Sequence, residues 1–137
     1  MTPFNLKIIT PNEVFFEGET SNLIVRTTVG DKGILARHEP YLAALPIGTM
    51  RVKDENGKFR TAAISNGTIR VEDGGDTVVL VQSCEWGDEI DVGRAEVAKK
   101  AAEEIISDAH ASQLEHDIAE FKLKRALNRI HSAENVK

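Results

Sequence analysis

Apolar and polar residues follow two different periods along the chain, and the change from one to the other predicts two structural regions. Over the first 87 residues apolar positions recur at intervals near two in short runs: Asn5–Thr10 (NLKIIT), Ser21–Val29 (SNLIVRTTV), Thr49–Lys53 (TMRVK), Phe59–Ser65 (FRTAAIS), Thr68–Val71 (TIRV) and Thr77–Ser83 (TVVLVQS). Each is predicted to be a strand, because successive side chains of an extended backbone point to opposite faces. Asn56-Gly57 and Asn66-Gly67 carry residue types that tolerate the positive φ of tight hairpin turns, and Gly74-Gly75 is a third candidate. Many short strands with frequent turns and no intervening helix point to an antiparallel sandwich or barrel.

From residue 88 the period becomes helical. Ala98, Ala101, Ala102, Ile105 and Ala109 fall at i, i+3, i+4, i+7 and i+11, and Ala119, Leu123, Ala126, Leu127 and Ile130 at i, i+4, i+7, i+8 and i+11. Each set predicts one buried helix face. Asp91 is the expected N-cap of the first helix, since its carboxylate can accept from first-turn amides and complements the positive end of the dipole. Ser107–Ser112 (SDAHAS) is the expected break, with Ser112 a second cap. Helices of about 17–20 residues joined by so short a loop are expected to fold back as an antiparallel hairpin. The predicted fold class is therefore α+β, with an antiparallel β-sandwich over residues 1–87 followed by a two-helix hairpin over 88–137. An alanine stripe contributes less on burial than leucine would, at ~0.8 kcal/mol per CH₂. Two arrangements fit it: a weakly docked, mobile pair of helices, and a pair packed permanently on the sandwich.

Composition narrows the function. A chain of 137 residues allows one domain, or one small domain with an appendage. Its 28% charged and 41% hydrophobic residues are ordinary globular values. The net charge of −5 disfavours a nucleic-acid binder. Cys84 is the single cysteine, so no internal disulfide or thiolate zinc site is expected, and a reducing compartment fits. No apolar run reaches the ~18 residues of a bilayer span, and Met1–Lys7 leads into strand-like sequence without a signal-peptide core, so a cytosolic chain without membrane insertion is expected.

The sequence has no GxxxxGK[ST], no GxGxxG after a strand, no HExxH and no G-x-S-x-G, which removes the better-attested nucleotide, metalloprotease and hydrolase signatures. His38, His110, His116 and His131 are too scattered for a metal cage. His38 and Glu39 lie with Asp31 in one stretch, open to two readings: an acid–base pair, or loop geometry and partner contact. Arg125 and Arg129 stand four residues apart, about 40° around a helix axis, and a reversal near residue 110 would set Arg94 opposite position 126, between them. Three guanidiniums beside a helix N-terminus suit phosphate. The alternative is that Glu96, Glu134 or another carboxylate pairs with each arginine.

Two segments resemble a known family. Gly30-Asp31-Lys32-Gly33-Ile34-Leu35, followed by His38-Glu39-Pro40-Tyr41-Leu42-Ala43-Ala44-Leu45, resembles the G-x-x-G-I-L-x-x-H-x-P-x-L-x-x-L segment of the epsilon subunits of bacterial F-type ATP synthases. Ile90-Asp91-Val92-Gly93-Arg94-Ala95 is similar to their [IL]-D-x-x-R-A motif, and Leu123–Ile130 (LKRALNRI) to their C-terminal basic helix. The likeness runs from about Phe4 to Lys137. It implies a ten-stranded sandwich and a two-helix domain in a non-catalytic subunit, peripheral to the cytoplasmic face of the bacterial plasma membrane. That sandwich would bind the rotating gamma subunit and rest near the ring of c subunits, with Asp31 and His38 facing the ring. The resemblance also implies helices that move between a folded hairpin and an extended form reaching into the catalytic alpha/beta hexamer and opposing ATP hydrolysis. Lys122, Lys124, Arg125 and Arg129 would there face an acidic segment. In bacillus-like members the folded hairpin binds ATP without hydrolysing it, with or without magnesium. Carried over, Ile90 and Asp91 would meet adenine, Glu85, Arg94 and Ala95 would lie nearby, and Arg125 and Arg129 would hold the phosphates. Ala101, with Lys100 beside it, stands where nucleotide-binding members carry a further basic residue, and Ala36-Arg37 replaces their usual Pro-Asn.

Overall fold

The structure is a computed structural model that describes residues 2–134; Met1 and residues 135–137, the outer ends of the two expected regions, lie outside the described residues. Ten strands come first: β1 (Phe4–Thr10), β2 (Glu13–Thr20), β3 (Leu23–Thr27), β4 (Gly30–Ile34), β5 (Tyr41–Leu45), β6 (Gly48–Lys53), β7 (Phe59–Ile64), β8 (Gly67–Val71), β9 (Thr77–Val81) and β10 (Cys84–Trp86). They form two five-stranded sheets, ordered β2-β1-β9-β8-β5 and β10-β7-β6-β3-β4. Alternation places Phe4, Leu6 and Ile8 of β1, Leu23 and Val25 of β3 and Val79 and Val81 of β9 in one shared core. Phe15 and Phe16 of β2 close its flank by packing on Trp86, at centroid separations of 5.0 and 6.2 Å.

Three strand readings change. The run Ser21–Val29 is cut at its start, where the Thr20 hydroxyl bonds the Lys53 carbonyl (2.8 Å) and accepts from the Asn22 amide (3.3 Å), turning the chain between β2 and β3. Strands β2, β4, β5 and β10 were not among the six periodic runs, because edge exposure or brevity blurs their alternation. One pair, β1 with β9, is parallel. Of the turn signals, Gly57 (φ 81°), Gly74 (φ 97°) and Gly75 (φ 100°) do serve the β6–β7 and β8–β9 hairpins. Asn66-Gly67 does not: β7 and β8 belong to different sheets, so it is a crossover. Gly67 is required by space instead, since a Cβ there would meet the Leu80 carbonyl oxygen at 1.9 Å.

Beyond a 3-10 turn at Gly87–Glu89 run α1 (Val92–Ser107) and α2 (Gln113–Glu134), packed against each other. Both caps form as expected. Asp91 Oδ1 accepts from the Arg94 amide (3.0 Å), and Ser112 with Glu115 makes a reciprocal capping box (3.1 and 3.3 Å). His116 is half-buried and braces the interhelical loop through the Asp108 carbonyl (2.9 Å).

The buried face of α1 is displaced from the expected one. Ala95 and Ala102 are buried and Lys99 and Ile106 half-buried, whereas Ala98, Ala101, Ile105 and Ala109 are exposed. A helix with alanine on several faces carries no strong periodic preference, and the close approach of α2 selects among them. On α2 the expectation holds for Ala119 and Ala126, which are buried, and for half-buried Leu123 and Ile130, but Leu127 is exposed.

Gly67→Ala should therefore cost about 3 kcal/mol or more, since backbone rather than a flexible side chain blocks the added methyl. Gly74→Ala meets nothing within 4 Å and carries only the strain of its positive φ, about 1–2 kcal/mol. Urea midpoints of the two variants check the order.

Candidate functional site

The predicted site residues come from three segments that meet on the outer face of the second sheet. Strand β10 lies at the edge of that sheet, paired with β7; alternation turns Trp86 into the core and Glu85 outward. Glu85 there grips Arg129 of α2 in a fork, Nε to Oε1 at 2.6 Å and Nη2 to Oε2 at 3.1 Å. The Arg129 side chain is 17% exposed and that of Glu85 38%, so water screens the pair only in part. Beside it the Asn128 amide donates to the Gly48 carbonyl at 2.8 Å and to that of Ile64 at 3.4 Å, fastening α2 to β6 and β7. Ser132 is fully buried on the same helix, and its hydroxyl has no partner among the described residues.

The linker is held separately. Arg60 of β7 reaches Asp88 (3.1 Å) and Glu89 (4.0 Å) while its guanidinium stacks over Trp86 at 4.1 Å. Ile90 is buried at 9% exposure, and Asp91 spends one carboxylate oxygen on the α1 cap. Ala95 is fully buried, while Arg94 is exposed in the first turn of α1 and Arg125 on α2. Neither guanidinium makes an ion pair or hydrogen bond among the described residues.

The structure thus brings Glu85 and Arg129 together and leaves Arg94 and Arg125 unengaged. For Arg129 the carboxylate alternative holds, though the partner is Glu85 rather than Glu96 or Glu134. Lys122 and Lys124 are exposed along α2. Asp31, on edge strand β4, is bound to Arg26 at 2.6 Å, and His38 approaches the Glu39 carbonyl oxygen through Nδ1 at 2.7 Å with its ring edge-on to Tyr41. The histidine thus meets the backbone of Glu39 and not its carboxylate, which leaves loop geometry and partner contact as the readings. Among the described residues no group of three or more His, Cys, Asp or Glu could hold a metal ion.

Sequence reasoning missed Asn128, Ser132 and Arg60. An asparagine within a helix, a poor position for it in solvent, was the available signal for the first. Cys84 is chemically quiet: burial, aided by the carboxylates of Glu85 and Glu13, pushes its thiol from 9.0 up to about 12.

Two family models match this chain: ATP synthase, Delta/Epsilon chain, beta-sandwich domain, over residues 3–87, and ATP synthase, Delta/Epsilon chain, long alpha-helix domain, over residues 88–134. The ATP synthase epsilon chain of Ruminococcus albus is 45% identical over 133 residues, covering 97% of this chain and 98% of that one. That of Clostridium novyi is 39% identical over 127 residues, with 93% and 95% covered. Among solved structures, a chain of the Euglena gracilis mitochondrial ATP synthase (OSCP/F1/c-ring) superposes with a TM-score of 0.81 at 22% identity, covering 98% of this chain and 81% of that one. A chain of the Tetrahymena thermophila mitochondrial ATP synthase central stalk and c-ring gives 0.58 at 13% identity, with 96% and 97% covered. These two likenesses concern the fold.

Two predictions follow from the geometry. A double-mutant cycle on Glu85→Gln and Arg129→Gln should show a coupling of about 1 kcal/mol, reduced from a fully buried pair by solvent. Each variant should speed amide exchange in α2 while sandwich amides keep their protection. The second concerns pH. Because the folded Cys84 thiol stays protonated up to about 12 while an exposed one ionises at 9.0, its contribution is complete below 9 and is lost as pH rises toward 12. Stability of the parent relative to Cys84→Ala, from denaturant melts at pH 8, 10 and 11, should fall in that order.

Proposed function

The chain belongs to the ATP synthase delta/epsilon chain family, and from that premise we propose how its two regions divide the work of a non-catalytic stalk subunit of the ATP synthase complex. The sandwich is the fixed attachment. It binds the gamma subunit and rests on the c-subunit ring at the cytoplasmic face of the bacterial membrane, with Asp31 and His38 as ring contacts. Among the described residues no helix is long and apolar enough to cross a membrane. The hairpin is the moving part: folded, it binds ATP without hydrolysing it; extended, it carries Lys122, Lys124, Arg125 and Arg129 to the catalytic hexamer and opposes ATP hydrolysis.

The observation that carries this reading is the manner of docking. Beneath α2 lie an amide bonded to two carbonyls, a half-screened ion pair and an unpaired buried hydroxyl, contacts that water can replace at modest cost. Further along α2, Leu114, Ile118 and Phe121 are exposed. Arg94 adds an electrostatic argument. A cation in the first turn of a helix opposes the dipole, and a polyphosphate there would meet both its guanidinium and the first-turn amides. Arg125 is the second unengaged donor, and Arg129 joins when the phosphates compete with Glu85. Asp91 keeps one carboxylate oxygen for the adenine amine beside Ile90, while buried Ala95 lets the helices approach. Magnesium, if it accompanies the nucleotide, would be carried on the phosphates.

One observation favours a second reading, the same subunit without nucleotide sensing: Glu85 already fills the fork of Arg129, so the basic helix needs no other anion when folded. Calorimetric titration of the intact chain with ATP separates the two. Saturable binding, weakened about tenfold or more by Arg125→Ala, supports sensing; no binding at millimolar ATP eliminates it and leaves the inhibitory contact alone. Asp91→Asn, which keeps a good N-cap, should leave α1 intact yet erode the preference for ATP over GTP.

A further inference from the structure

Away from the hairpin arginines, the outer face of the second sheet carries a cleft of about 300 Å³ whose lining includes Arg26, Arg51, Thr49, Thr61 and, from the end of α2, His131. Strand register builds its floor. Arg51 is the cross-strand neighbour of both Ile24 and Thr61, and Arg26 that of Asp31, so these residues share one surface. Helix α2 supplies the wall, so the cleft is complete only while the hairpin is docked.

Its chemistry is one-sided. Among the lining side chains two guanidiniums and two hydroxyls stand beside one carboxylate, and Asp31 is bound through the Nε of Arg26, leaving that residue's amino groups for another acceptor. Arg51 lies over the Phe59 ring at 5.9 Å and has no carboxylate partner among the described residues. Thr61 lines the cleft beside them, and its hydroxyl makes no hydrogen bond among the described residues, which leaves it free to donate.

We propose that this cleft binds a small phosphoryl oxyanion, held by the guanidiniums of Arg26 and Arg51 and accepting a hydrogen bond from the Thr61 hydroxyl. The site shares no residue with the proposed nucleotide site.

Amide NMR of the intact chain tests this, with inorganic phosphate added to about 50 mM at an ionic strength matched by sodium chloride. Saturable shifts at Ile24, Arg51 and Thr61 are expected, reduced about tenfold in Arg51→Gln and weakened in the near-isosteric Thr61→Val. A parallel arm with glycerol 3-phosphate distinguishes a free ion from the phosphate group of a larger molecule by which saturates first. Unsaturating drift equal to that in chloride, an undiminished response in Arg51→Gln, or shifts centred on Arg94 and Arg125 instead would each overturn the cleft. The last outcome would leave the hairpin reading standing, and the first two do not bear on it.

Discussion

The docking of α2 on the sandwich includes polar groups that water or another ligand can replace. Asn128 bridges two strand carbonyls, Arg129 meets Glu85, and Ser132 buries a hydroxyl that has no partner among the described residues. Within the sandwich the inner faces hold leucine, isoleucine, valine and methionine with almost no exposure. The two halves are therefore joined by forces of different kinds. Apolar burial in the sheets scales with area and does not yield to a ligand, whereas a handful of charge-assisted bonds can be exchanged for others of similar strength.

That contrast sets the energetic scale for the proposed movement of the hairpin. A half-screened ion pair contributes about 1 kcal/mol, and a ligand present at a hundred times its Kd shifts an equilibrium by about 2.7 kcal/mol. Ligand binding can thus override the internal contacts in either direction. Glu85 acts meanwhile as a built-in anion, holding the Arg129 fork while Arg94 and Arg125 stay open. Alanine between the helices serves the same end. Ala95, Ala102, Ala119 and Ala126 allow close approach but bury little area each.

The linker resists what the hairpin permits. Arg60 clamps Asp88 and Glu89 and stacks on Trp86, which Phe15 and Phe16 pack from the core side. Any motion of the helices is then confined to the chain beyond Glu89, where Ile90 and Asp91 stand between a fixed turn and the first helical turn.

Features whose partners lie within a few residues were legible in the sequence: the Asp91 cap, the Ser112–Glu115 capping box, the glycines of the β6–β7 and β8–β9 hairpins, the break between the helices and the sandwich-then-hairpin order. Short-range hydrogen bonds and backbone conformation depend on neighbouring residues, which the sequence displays directly. Tertiary structure decided the rest. It sent β7 and β8 to opposite sheets, so that Asn66-Gly67 became a crossover with no room for a side chain at Gly67; beside the expected Ala102 it buried Ala95 and left Ala98 and Ala101 exposed; and it gave Arg129 to Glu85, 44 positions away. Each of these is settled by which surfaces meet across the fold, and an alanine, a glycine or an arginine carries no mark of its distant neighbour until the chain has packed.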